Sequence, residues 1–136
     1  MKTYTDVEQS KKLAEILPPE SADMWWAERY AGRVMANGQY IVEEKPVYYP
    51  SLTKPSNDNY SQDTIKDVPC WSLSALLDVL PDEVGDNHYL TLDKEGKEYC
   101  CCYEDNNGNS FRHCFSDNPV DACTEMIIKL NELKML

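Results

Sequence analysis

Along residues 5–17 apolar side chains recur at Leu13, Ile16 and Leu17, the spacing of one helical face. Thr5 followed by Glu8 reads as a capping box at the start of this helix, and the Pro18–Pro19 pair stops it. A second stripe, Leu73, Leu76, Leu77 and Leu80, predicts another helix, with Ser72 as its N-cap and Pro81 as its end. Three short runs follow in which side chains alternate: HYLTLD (88–93), KEYCCCYE (97–104) and SFRHCFS (110–116). Their separators, KEG and DNNGN, are hairpin turns, because Gly and Asn accept positive φ. The last segment is a helix with Asn118 as N-cap, Pro119 at the first helical position, and a core face of Val120, Cys123, Ile127 and Leu130. The class is therefore α+β. Residues 69–136 form an α-β-β-β-α unit whose three-stranded antiparallel meander packs against two helices. Residues 1–68 form an N-terminal helix and a long aromatic-rich extension.

Within that extension periodicity fails. Pro46, Pro50, Pro55 and Pro69 stand among Asn, Ser, Asp and Tyr over 36–69, which predicts an irregular connection with a short strand at QYIVEE. Trp25, Trp26, Tyr30, Tyr40, Tyr48, Tyr49 and Tyr60 crowd the same half. Two readings are open for them. They form a partner-docking arm, with Trp25, Trp26, Tyr30, Tyr48 and Tyr49 as contact candidates, since such rings are favoured at interfaces. Or they cover a second face of the sheet, which carries apolar groups on both sides. The segments LAEILPPE (13–20) and LLDVLPDE (76–83) also echo one another, by chance or by an old duplication.

Charge narrows the classes of partner. The chain of 136 residues has a net charge of −11 and a pI of about 4.5. Residues 1–68 carry 11 acidic and 8 basic side chains, and residues 69–136 carry 13 and 5. Such a surface repels phosphate backbones and anionic membranes, so neither nucleic acid nor membrane is expected as a partner. Two readings are open: the acidity meets a basic protein surface, or it serves only to keep the chain soluble. No apolar run approaches the roughly 20 residues a membrane span needs. The first twenty residues are charged throughout, which is unlike a signal peptide. A cytoplasmic setting with reduced thiols follows as an expectation.

The six cysteines raise the question of a metal or redox site. In a strand, Cys100 and Cys102 share one face and Cys101 takes the other, beside Tyr99 and Tyr103. If Cys114 approaches Cys100 or Cys102 across the sheet, these three are the metal-ligand candidates, and His113 faces away. Phe111 and Phe115 are then expected beside Tyr99, Cys101 and Tyr103. Three thiols without a C-x-x-C pair make an incomplete zinc set, and buried small hydrophobes are the alternative reading. No metal or other cofactor is expected. Catalysis is not expected either. His113 and Cys114 diverge along the strand, Asp86 and His88 sit at a turn, and G-x-S-x-G, P-loop, dinucleotide and H-E-x-x-H patterns are all missing.

The α-β-β-β-α order resembles the double-stranded RNA-binding domain fold. That family grips phosphates with basic residues at the start of its last helix, and the matching positions here, SDNPVDACTE, are acidic. The resemblance implies a protein-binding or structural version. The stretches SKKLAEILPPESADMWW, PCWSLSALLDVLP and NPVDACTEMIIKLNELK together resemble small uncharacterised proteins from prophages and other mobile elements of gut anaerobic bacteria. That resemblance implies a short accessory protein that acts by binding. The expected function is non-enzymatic binding of another protein through an acidic or aromatic surface. A DNA-mimicking inhibitor of a host nuclease or restriction system is one alternative, and a cysteine-based metal- or redox-responsive protein is another.

Overall fold

The computed structural model of the chain describes residues 1–53 and 67–136. Elements run in the order α1 (Val7–Ala14), β1 (Met24–Arg29), β2 (Gly32–Val34), β3 (Tyr40–Val42), β4 (Val47–Ser51), β5 (Val68–Cys70), α2 (Leu73–Val79), β6 (Glu83–Val84), β7 (His88–Glu95), β8 (Glu98–Glu104), β9 (Ser110–Ser116) and α3 (Pro119–Glu132). Among the described residues three antiparallel sheets result, ordered β4-β1-β5, β2-β3 and β6-β7-β8-β9. The anticipated three-stranded meander is thus a four-stranded one, widened by the pairing of Glu83 with Tyr89 and Val84 with His88.

Helices α2 and α3 begin where their caps lie. The Ser72 hydroxyl accepts the Ala75 amide at 3.2 Å, and the Asn118 side chain accepts that of Asp121 at 2.8 Å, with Pro119 next in place. Each satisfies an amide that the first turn leaves unpaired. Helix α3 lays Val120, Cys123, Met126, Ile127 and Leu130, all fully buried, against β8 and β9. Burying a side chain of the Ile or Leu class contributes about 1.5–3 kcal/mol. Two residues of the two-residue turn between β7 and β8 are Gly96 and Lys97; Gly96 has φ 63°, where a type II′ turn calls for glycine.

At the N-terminus the capping box differs from the expected Thr5–Glu8 pair. Asp6 accepts the Gln9 amide at 2.8 Å, and the Gln9 side chain accepts the Asp6 amide at 3.0 Å. Thr5 is displaced from the cap because its groups are engaged elsewhere. Its hydroxyl meets Ser10 Oγ at 2.7 Å and accepts the Trp71 amide at 3.1 Å, and its own amide donates to Trp71 O at 2.9 Å. A single bridge between Tyr4 and Ser72 completes this short pairing. Leu13 and Leu17 consequently join Trp71, Leu76, Leu80, Cys101, Tyr103, Cys123 and Leu130 in one core. The division expected at 68/69 falls inside β5, and α1 shares the core of the residues beyond it. The two echoing segments diverge after their prolines: the first continues into a single 3-10 turn at Pro19–Ser21, the second into β6.

The irregular reading of the extension needs correction. Met24–Arg29 is a central strand between β4 and β5, although its buried positions, Met24, Ala27 and Glu28, do not alternate. The short strand expected in QYIVEE is β3, in a hairpin with β2. Pro50 sits on edge strand β4, where an absent amide is tolerated. Pro55 and Tyr60 lie outside the described residues.

One polar knot ties α1 to α3. The Asp121 carboxylate accepts Lys2 Nζ at 2.8 Å, Gln9 Nε2 at 2.6 Å and Asn118 Nδ2 at 2.7 Å. Burial opposes its ionisation, but the hydrogen bonds from Lys2, Asn118 and Gln9 outweigh that and hold the carboxyl below its usual range. Asp121→Asn should lower stability at neutral pH by about 1 kcal/mol, a figure already reduced for the part-exposed site. A depressed folded-state pKa stabilises above the unfolded value and is lost as pH falls through the folded one. Denaturant titrations of wild type and variant should therefore begin to draw together below about pH 4 and meet only below the depressed folded-state value.

Candidate functional site

Cross-strand partners share a face of the sheet, so the register decides what surrounds each thiol. At the turn, Glu104 faces Ser110, but the next pair inward is Tyr103 with Arg112. Phe111 is the extra residue of a β-bulge, and every pairing beyond it is advanced by one. Cys101 then faces Cys114, Cys102 faces His113, and Cys100 faces Phe115. This reverses the expected arrangement. Cys114 belongs with Cys101 on the helix side. His113, expected to face away, stands with Cys100 and Cys102, and Phe115 is on their side as well. A hairpin without the bulge would have set Cys100 opposite Cys114, which is what unbroken alternation implies.

Two thiol groups with different surroundings result. On the helix side Cys101, Cys114 and Cys123 are packed among Leu76, Tyr103, Val120 and Ile127. The hydrogen bond to Cys123 and burial push the Cys101 thiol up, and burial pushes Cys114 up to about 11. These act as small hydrophobes. On the other side Cys100 Sγ lies 3.5 Å from His113 Nδ1. Cys102 Sγ lies 2.9 Å from Thr91 Oγ1 and 3.5 Å from Glu104 Oε1. The donor atoms of Cys100, Cys102 and His113 all fall within 4.8 Å of one another. The His113 ring stacks on Phe115, with centroids 5.6 Å apart and planes 4° from parallel. All six cysteines are free thiols.

A cysteine beside an imidazole also suggests a nucleophile and its base. Nucleophilic thiols carry a depressed pKa. Burial instead pushes Cys100 up, and Cys102 up to about 12. Raised thiol pKa values disfavour the thiolate that such attack requires.

The face around these thiols is acidic. Among the described residues, the register places on it Glu83, Tyr89, Thr91, Asp93, Glu95, Glu98, Cys100, Cys102, Glu104, Ser110, His113 and Phe115, which is five carboxylates and no Lys or Arg. Phe115 is 48% exposed and Tyr89 42%. Arg112 faces the other way, with its guanidinium 5.8 Å from the Phe111 ring centroid at the bulge.

Among the described residues, the rings of the aromatic extension are engaged elsewhere. Trp25 and Trp26 sit half-buried on β1, opposite Pro69 and Val68 of β5. The Trp26 indole donates to Thr5 O at 3.0 Å and meets the Tyr4 ring edge-on. Tyr30 and Tyr48 both donate to the buried Glu28 carboxylate, at 3.1 and 3.0 Å. Of the five contact candidates, Trp25, Trp26, Tyr30 and Tyr48 are half-buried and Tyr49 is 55% exposed. The structure thus disperses those five residues through the β4-β1-β5 sheet and its surroundings. The acidic face of the β6-β7-β8-β9 sheet, with His113 and Phe115, escapes sequence reading because it depends on the bulge. Among the described residues no helix is long and apolar enough to cross a membrane. No protein-family model, curated protein or solved structure matches the chain.

Proposed function

We propose that the chain is a non-enzymatic binding module whose β6-β7-β8-β9 sheet docks a basic protein segment. The observation that carries this reading is a sheet face whose described residues include five carboxylates, no Lys or Arg, and the exposed rings of Phe115 and Tyr89. Uniform charge steers a basic partner and selects against acidic ones, and the rings supply apolar contact that excludes water. The pair Glu95 and Glu98, directly opposite each other beside the turn, sharpens the argument. Like charges facing across strands destabilise a hairpin, so folding alone does not favour them.

Glu98→Lys should therefore stabilise the fold by about 0.5 kcal/mol, while Glu95→Lys/Glu98→Lys weakens partner binding at least about tenfold. Denaturant melts check the first effect. The second is read by comparing proteins captured from bacterial lysate on immobilised wild type, the double variant, Phe115→Ala and a Tyr49→Ser control. A basic protein released by salt, lost on both face variants and kept on the control supports the reading. Capture that survives both face variants but fails with Tyr49→Ser overturns it in favour of the N-terminal sheet. If the captured protein is a nuclease or restriction enzyme, the module is a DNA mimic, the sharper form suggested by the mobile-element resemblance.

A further inference from the structure

The floor of the acidic face has a chemistry that docking by itself does not require. Cysteines that serve only as packing have apolar neighbours, as Cys101, Cys114 and Cys123 do. Cys100 and Cys102 instead have an imidazole, a hydroxyl and a carboxylate against their sulfurs. Two thiols and a histidine nitrogen within 4.8 Å form a donor set of soft and borderline character. The Cys100 Sγ to His113 Nδ1 distance of 3.5 Å also matches the edge of a tetrahedron around zinc, about 3.6 Å for bonds of about 2.3 Å to sulfur and 2.05 Å to nitrogen.

We infer that Cys100, Cys102 and His113 form a Cys2His site for a zinc-class ion, with a fourth position open on the exposed side of the sheet. The bulge at Phe111 creates the site by turning His113 toward Cys102. Stacking on Phe115 orients the imidazole so that Nδ1 faces the sulfur. Thr91 Oγ1, 2.9 Å from Cys102 Sγ, is placed to donate a hydrogen bond to the thiolate, the kind of outer partner that tunes a ligand. Glu104 reaches Cys102 alone among the three ligands, and together with Asp93, opposite Cys100, it places negative charge around the cation. Binding removes one proton from each thiol, and the two thiolates balance the charge of a divalent ion. The inference concerns the chain alone and stands whether or not the docking reading does.

The test uses the full chain, reduced with a non-thiol reductant, titrated with Co2+ as an optical probe and then with Zn2+ as competitor. One ion per chain, thiolate-to-cobalt absorption and displacement by zinc are expected. Because two protons leave, affinity should rise with pH, on the order of 100-fold per unit while both thiols are protonated. His113→Asn and Cys102→Ser should each weaken binding on the order of 100-fold, whereas Cys114→Ala keeps wild-type affinity. His113 is exposed, so its variant should show wild-type circular dichroism and melting, which separates ligand loss from unfolding. The inference is overturned if neither ion binds at one per chain, if folded His113→Asn binds as wild type, or if folded Cys114→Ala loses the ion.

Discussion

Trp71→Ala should destabilise the chain by about 3–5 kcal/mol, the cost of a large cavity in a packed core. Trp71 is fully buried and heads the largest buried side chains. Its ring joins Leu13 and Leu17 to Leu76, Leu80 and the sheet, and its indole donates to Ser21 Oγ at 2.9 Å. Total stabilities of about 5–15 kcal/mol are usual for a domain, so this one truncation removes a large share. Urea unfolding followed by circular dichroism gives the number. A loss below 1 kcal/mol would mean that the N-terminal segment is not seated on the core as described.

Thr5→Val should be the next most costly change, at about 2 kcal/mol, although it preserves shape. Thr5 is fully buried. Its hydroxyl accepts the Trp71 amide and shares a hydrogen bond with Ser10. Valine fills the same volume but leaves that amide and the Ser10 hydroxyl without this partner in a dry site, where each unmade bond costs about 1–3 kcal/mol. Relaxation and water entry should return part of the sum. Because Ser10 belongs to the same network, Thr5→Val/Ser10→Ala should cost less than the two single changes together. Full additivity in equilibrium unfolding would show that the hydroxyls act separately, against the shared network.

How much could be read from the chain follows from the range of the forces involved. The caps at Ser72 and Asn118, the leucine stripe of α2, the core face of α3 and the glycine turns at Gly96 and Gly108 are set within a few residues, and the structure has them where the sequence placed them. The cap of α1 is ambiguous in the sequence because Thr5 and Asp6 are both good capping residues. The choice between them is made by Trp71, sixty-six residues away. Strand β1 was missed because its buried side chains, Met24, Ala27 and Glu28, do not alternate. Glu28 is inside only because Tyr30 and Tyr48 satisfy its carboxylate.

By itself the sequence determined that a helix, a run of hairpin-linked strands and a closing helix would form one α+β unit, and that alternation would part Cys101 from Cys100 and Cys102. Alternation along one strand is local, since successive side chains must point to opposite faces. Which residues of the neighbouring strand stand opposite is not local. It depends on the one-residue bulge at Phe111, which exchanges the faces of His113 and Cys114. Only the tertiary structure settled that exchange, because a register is chosen by the whole sheet packing against its helices. With it came the histidine beside two thiols, and the acidic, ring-bearing face around them.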